Sequence, residues 1–300
     1  MQIRVQIRRA AALLCFFAVF SLSAGERISA APLRPSAGGE AAGLLLWREE
    51  GDGGPAVDLS HTDAGCVAAA FSAARRLKFQ VVGEKGVCTY DMASDGTQSV
   101  FPLLMGDGAY RFRILENVTG DRYAEVYAAK ASVTLTDALQ PFLHPNEYVN
   151  YTASSACVRA AKTLAPDSAD SAEIAAAAGA YIREHVSYDA EKAASVGAGY
   201  LPDPDATLET GRGICFDYAS LAAAMLRSRG IPAKIVVGRV GPEGLYHAWN
   251  EFYAFSDGEI EEGYTVSAGT WNRIDLTCAS AVPGGSLAGA NEIYRKMFEY

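Results

Sequence analysis

Histidine is scarce in this 300-residue sequence, four residues in all, and His61, His144, His185 and His247 are scattered along it. No C-x-x-C, H-E-x-x-H or comparable ligand spacing occurs, which argues against a metal centre, and no group of acids forms a calcium cage. No motif suggests an organic cofactor, so the expected cofactor set is none. Basic residues are outnumbered, 26 Lys and Arg against 35 Asp and Glu, and a formal charge of −9 speaks against nucleic acid as a partner. Beyond the N-terminal residues no apolar run is long enough to span a bilayer. What is present is half hydrophobic and one-fifth charged, a globular composition with room for one large or two ordinary domains and a sizeable core.

The first 24 residues combine Arg4, Arg8 and Arg9, an apolar run over 10–20, and the small residues Ser21, Ser23 and Ala24. This is the pattern of a secretory signal peptide, with cleavage expected between 24 and 31, so the chain is read as secreted or cell-surface and as meeting a membrane only during export. Losing residues 1–24 removes three arginines and no acid, which moves the formal charge from −9 to −12. It also removes Cys15 and leaves an odd set, Cys66, Cys88, Cys157, Cys215 and Cys278. In an oxidising compartment four of these can form two disulfides and leave one thiol, with Cys157–Cys278 and Cys66–Cys88 as the pairs to consider. The other reading is that several are simply small buried hydrophobes.

Residues 32–54, rich in Ala, Gly, Pro and Glu, read as a linker. Over 55–140 short runs rich in Val, Tyr and Phe alternate with Gly- and Asp-containing turns, predicting strands at 65–71, 77–82, 87–92, 98–103, 110–118, 123–129 and 131–135. Such spacing suggests a small antiparallel β-sandwich, and it holds no nucleophile or ligand cluster. Helical patterns follow at 154–164 and 168–186, with Asp167, Ser168 and Asp170 as candidate caps. Residues 198–206, with two prolines in three positions, are expected to be loop. A strong helix pattern then runs from Cys215 to about 228, stopped by Gly230 and Pro232. Strands are expected at 233–240, 246–255 and 271–277, with the acidic stretch 256–263 as a loop and 286–300 as a tail or terminal strand.

Cys215 lies just after a glycine turn and in the first turn of that helix, where unpaired N–H groups and the positive dipole end favour thiolate over thiol. A cysteine nucleophile needs a base, and the base needs a group to orient it. His247 opens one expected strand and Asp275 lies on its expected neighbour, so the Cys215 helix can lie across a sheet that carries both. In the expected arrangement Asp275 accepts from Nδ1–H of His247 and Nε2 faces the sulfur. Trp249 and Trp271 read as core aromatics beside these strands, Asp217 as a helix-start residue without a catalytic part, and Tyr188 as a candidate second oxyanion donor.

Four segments extend this reading: Gly213-Ile-Cys-Phe-Asp-Tyr-Ala219, the stretch 226–233, His247-Ala-Trp-Asn-Glu251 and Trp271-Asn-Arg-Ile-Asp-Leu-Thr277. In this order they resemble the core motifs of the transglutaminase-like superfamily. Tyr181-Ile-Arg-Glu-His-Val-Ser-Tyr-Asp189 is similar to the helix end that precedes the nucleophile in secreted bacterial members. The resemblance covers about 156–280. It implies an α+β fold: a papain-like core over 150–285, with the nucleophile helix packed on an antiparallel sheet, preceded by the all-β sandwich. It makes Cys215 the nucleophile, His247 the base and acid, and Asp275 the orienting residue. One departure is the 28-position step from His247 to Asp275, longer than the family's tight hairpin, which suggests that the insertion over 256–269 caps or narrows the substrate groove.

The chemistry implied is acyl transfer on a glutamine carboxamide or peptide bond through a thioester, on a protein or peptide substrate. An amine acceptor gives a crosslink, and water gives deamidation or hydrolysis. The alternatives are a cysteine peptidase acting on cell-wall or extracellular peptides and a non-catalytic surface protein that binds peptides.

Overall fold

A computed structural model describes residues 54–197, 199–261, 263–277 and 294–300. The expected signal peptide, nearly all of the expected linker, and Cys278 lie outside these residues.

Among the described residues seven strands come first: β1 (Ala56–Asp58), β2 (Cys66–Ala70), β3 (Leu77–Gly83), β4 (Gly86–Met92), β5 (Ser99–Pro102), β6 (Gly108–Thr119) and β7 (Arg122–Val133). They form two antiparallel sheets, ordered β1-β2-β5 and β4-β3-β6-β7. Alternation in β6 turns Tyr110, Phe112 and Ile114 inward and Arg111 and Arg113 outward, where both arginines meet Glu125. The inner faces share one core, in which Phe79 of β3 stacks on Phe101 of β5 with ring centroids 4.3 Å apart. Burying each such ring contributes roughly 1.5–3 kcal/mol. The two strands expected at 123–129 and 131–135 are one, because β7 keeps continuous pairing with β6 across Lys130.

The second half opens with α1 (Ala156–Thr163) and α2 (Ser171–His185). Of the three candidate caps it is Asp170 that accepts from the Ala172 and Glu173 N–H groups. Then come β8 (Ser187–Tyr188), α3 (Ala190–Ser195), α4 (Pro204–Thr210), β9 (Arg212–Gly213) and α5 (Cys215–Arg227). Part of the stretch expected to be loop is therefore helical. Pro204 stands in the first turn of α4, where its missing N–H costs no helical bond, and Asp203 caps the two donors that follow.

Strands β10 (Ala233–Val240), β11 (Leu245–Tyr253), β12 (Gly258–Glu261), β13 (Tyr264–Val266), β14 (Trp271–Ile274) and β15 (Tyr294–Glu299) complete the order. Four of them make one antiparallel sheet, β14-β11-β10-β15. Helix α5 is buried nearly all round from Asp217 to Arg227, with α1, α2 and α4 on one side and β10 and β11 on the other. Its alanines let these elements close in, and buried Arg227 donates to the carbonyls of His144, Ala233 and Tyr300. Tyr148 and Tyr300 pack against both hydrophobic cores, with ring centroids 4.5 Å apart.

The insertion expected to be loop is the β12–β13 hairpin. It is tied to the start of α2 by Phe255 N–H donating to Ser171 Oγ and by Ser256 Oγ donating to Asp170. Farther along α2, Arg183 lies 3.9 Å from Glu261. These contacts fold the insertion down along α2.

Candidate active site

Cys215 is the first residue of α5 and is partly exposed. The residue before it, Ile214, is extended (φ −95°, ψ 175°) and has no side-chain acceptor, so the helix start is secured from within. Asp217, fully buried, takes the Ile214 N–H on Oδ2 at 2.8 Å. The same carboxylate accepts Lys192 Nζ at 2.6 Å and the Tyr200 hydroxyl, which brings α3 and the 199–203 segment onto the helix start. Gly213 is required here: a Cβ at that position would lie 2.7 Å from Asp217 Cβ. The turn before Cys215 is thus fixed by a packed charge cluster.

His247 and Asp275 come together as expected. Nε2 of His247 is 2.8 Å from Oδ2 of Asp275, with His247 8 % exposed and Asp275 fully buried. His247 lies on β11 opposite Gly238 of β10, and Asp275 follows directly on β14, which ends at Ile274. The ring orientation reverses the expected one: Nε2, not Nδ1, meets the carboxylate. The reason is positional, since Asp275 stands just beyond the strand pairing of β11 and β14 and meets the far edge of the imidazole. Asn250 of β11 donates to Ala219 O at 2.8 Å, which ties the histidine strand to the Cys215 helix. Tyr188, 45 % exposed, reports on both ends of the site. Partial burial and then Cys215 push its phenol above the ordinary range, and His247 pulls it back.

Several side chains around the pair carry no local sequence signal for this role. The Tyr294 hydroxyl donates to Asp275 Oδ2 at 2.8 Å. Thr277 gives both N–H and Oγ1–H to Asp275 Oδ1, at 3.2 and 3.1 Å. Trp249, fully buried, lies nearly parallel to His247 with centroids 6.3 Å apart and meets Tyr294 edge-on at 4.9 Å. The Arg273 guanidinium sits 3.8 Å over the Tyr294 ring. Trp271 packs against Phe142 and Lys234, so both tryptophans serve packing. The run Tyr294-Arg-Lys-Met-Phe-Glu299 that forms β15 shows no strict alternation, and nothing local in it points to Asp275.

The four described cysteines are all free thiols, so Cys66 and Cys88 are not paired: they lie on different sheets, in β2 and β4. Burial and then nearby Asp63 push Cys66 up to about 12, burial raises Cys88, and burial with Asp205 raises Cys157 well above the ordinary thiol range. These three behave as structural thiols. Among the described residues no cluster of His, Cys, Asp and Glu could hold a metal ion, and no helix is long and apolar enough to cross a membrane.

The family model described as "Transglutaminase-like superfamily" matches residues 159–276. A comparison with curated proteins finds no match. Among solved structures, a candidate cysteine protease from Cytophaga hutchinsonii is similar at 16% identity and TM-score 0.36, over 71% of this chain and 74% of that one. The periplasmic domain of TgpA from Pseudomonas aeruginosa is similar at 16% identity and TM-score 0.35, over 72% and 70%. Red sea bream transglutaminase is similar at 12% identity and TM-score 0.33, over 74% of this chain and 49% of that one. The matched segment, residues 159–276, carries Cys215, His247 and Asp275, and over it the chain is similar to the transglutaminase-like superfamily, whose members are generally cysteine-based enzymes.

Proposed function

We propose that this protein is an exported cysteine-dependent acyltransferase or hydrolase acting on the carboxamides of a protein or peptide, with Cys215 as nucleophile, His247 as acid and base, and Asp275 as the orienting residue. The observation that carries this reading is the buried His247–Asp275 pair at 2.8 Å, with His247 on β11, the strand against which the Cys215 helix packs. Export rests on the N-terminal charge and apolar pattern of residues 1–24.

With Nε2 held by Asp275, Nδ1 is the nitrogen that exchanges a proton with the thiol. The Cys215 sulfur adds to the carboxamide carbonyl carbon, and the oxygen that becomes negative is met by the Cys215 N–H, one of the helix-start donors without an intrahelical partner. We assign the second donor to Tyr188, on the support of its exposure and its electrostatic contact with Cys215 and His247. The carbon–nitrogen bond then breaks, His247 gives its proton to the leaving nitrogen, and a thioester remains on Cys215. An amine or water, deprotonated by His247, attacks the thioester and restores the thiol. Asp275 keeps the imidazole in one tautomer and stabilises the imidazolium between the steps.

The test is mass spectrometry of a glutamine-containing peptide incubated with the protein and a primary amine. Expected is a product heavier by the amine less ammonia, or a deamidated product one mass unit up, and loss of both with Cys215→Ala. A cleaved peptide chain would make the enzyme a peptidase with the same site. Turnover by Cys215→Ala at the native rate would overturn the assignment.

A further inference from the structure

The edges of the two N-terminal sheets and the 199–203 segment enclose a cleft of about 880 Å³, lined among others by Leu77, Asp91, Val100, Glu147 and Leu201. None of Cys215, His247 and Asp275 lines it. Its volume falls in the range of ligand pockets rather than packing defects.

Glu147 is the anomaly in this cleft. Both of its carboxyl oxygens are buried and have no hydrogen-bond partner among the described residues, and the same is true of Nδ2 of neighbouring Asn146. The side chain is not on a loose loop. Glu147 N–H donates to Val100 O at 3.1 Å, and Asn146 Oδ1 takes the N–H groups of Tyr148 and Val149, each at 3.0 Å. A buried carboxyl held this way without donors calls for a group that supplies them. The neighbouring bases are already engaged, with Arg76 3.5 Å and Lys78 3.2 Å from Asp91. Three acids, Asp91, Glu147 and Asp203, face the cleft together with one base, Arg76.

We propose that this cleft is a binding site for a peptide segment carrying a lysine or arginine side chain, whose cationic head pairs with the Glu147 carboxylate. The two open oxygens suit either an ammonium or the fork of a guanidinium. The volume beyond the carboxylate, lined by Leu77, Met92, Val100 and Leu201, accepts the stem of that side chain and its neighbours. Burial and then the charge of Asp91 push Glu147 up to about 8, with Lys78 opposing. An entering cation therefore ionises the acid and releases its proton to solvent, and binding tightens as the pH rises towards 8.

Calorimetric titration of the full chain with acetylated, amidated Ala-Lys-Ala and Ala-Arg-Ala, and with the norleucine analogue, tests this. Either cationic peptide is expected to bind at least tenfold more tightly than the norleucine peptide, and their ratio tells ammonium from guanidinium. Glu147→Gln, checked for an unchanged circular dichroism spectrum, is expected to remove that tenfold preference, and Gln98→Trp to remove binding by filling the cleft. Cadaverine, an ammonium without a peptide, is expected to bind at least tenfold more weakly than Ala-Lys-Ala. Equal binding of the norleucine peptide, undiminished binding by Glu147→Gln, cadaverine binding as tight as Ala-Lys-Ala, or no binding by either cationic peptide would overturn the proposal.

Discussion

The Tyr294 hydroxyl and the His247 imidazole meet the same oxygen, Oδ2 of Asp275, each at 2.8 Å. Two donors on one oxygen fix the carboxylate's direction, and Thr277 occupies the other oxygen. Tyr294 in turn is clamped between Trp249 and Arg273. The orienting acid is therefore held by a strand that lies at the far edge of the sheet.

Removing that hydroxyl gives the first prediction. Tyr294→Phe leaves the ring packing intact and deletes one bond to a carboxylate, worth about 1.5–3 kcal/mol. We expect kcat to fall about tenfold with KM little changed, and the pH profile to shift because the Asp275 carboxylate facing His247 loses a donor to its charged form. An unchanged profile would make Tyr294 a packing residue only.

Gly238 supports the same strand. A Cβ there would stand 2.2 Å from the Arg295 carbonyl and 2.8 Å from the Trp249 ring. Gly238→Ala is expected to push β15 off β10, to cost at least about 1–3 kcal/mol in urea unfolding as overpacked positions do, and to lower activity more than Tyr294→Phe.

The helix start depends on Asp217. Asp217→Ala leaves the Lys192 ammonium and the Ile214 N–H without their acceptor. Lys192 is 30 % exposed and can turn to water, so the loss should lie near the low end of the cost of breaking a buried pair, about 3 kcal/mol. Thermal unfolding measures it. Asp217→Asn, which keeps one acceptor, should lose less.

Alkylation separates the thiols. Under native conditions iodoacetamide is expected to modify Cys215 before Cys66, Cys88 and Cys157, which burial holds protonated. Peptide mapping reads the order, and prior modification of Cys157 would contradict it.

Glu147 makes stability depend on pH. Its folded value of about 8 stands above the ordinary 4.5, so the uncharged acid is the form the fold favours. Its contribution is full below about 4.5 and is lost as the pH rises through about 8. Glu147→Gln should therefore be more stable than the native chain at pH 8 by on the order of a few kcal/mol, and the two should converge towards pH 4. Chemical denaturation at both pH values tests the sign.

Local pattern made much of this molecule legible. Alternation over 110–115 gave β6 its faces, and the glycine and proline after residue 228 marked the end of α5. The order of motifs around Cys215, His247 and Asp275 led to the resemblance that the family model matches over 159–276. Three features were not legible, each for a physical reason. Pro204 reads as a breaker unless Asp203 is known to cap the turn before it. The orientation of the His247 ring depends on where Asp275 stops relative to β14, a matter of a single residue. The Tyr294–Asp275 bond joins a strand to a partner that no periodicity names, because pairing across a sheet leaves no mark in either sequence.

The place of β15 in chain order bears on how the protein is made. A ribosome delivers α5, β10, β11 and β14 before β15, so a nascent chain can assemble Cys215, His247 and Asp275 while the position of Tyr294 is still empty. In that interval the carboxylate lacks one of its two Oδ2 donors and the edge of β10 stands open. Docking of β15 on β10 and the full hold on the Asp275 carboxylate are therefore one event: the sheet gains its edge strand and the acid gains its tyrosine donor together.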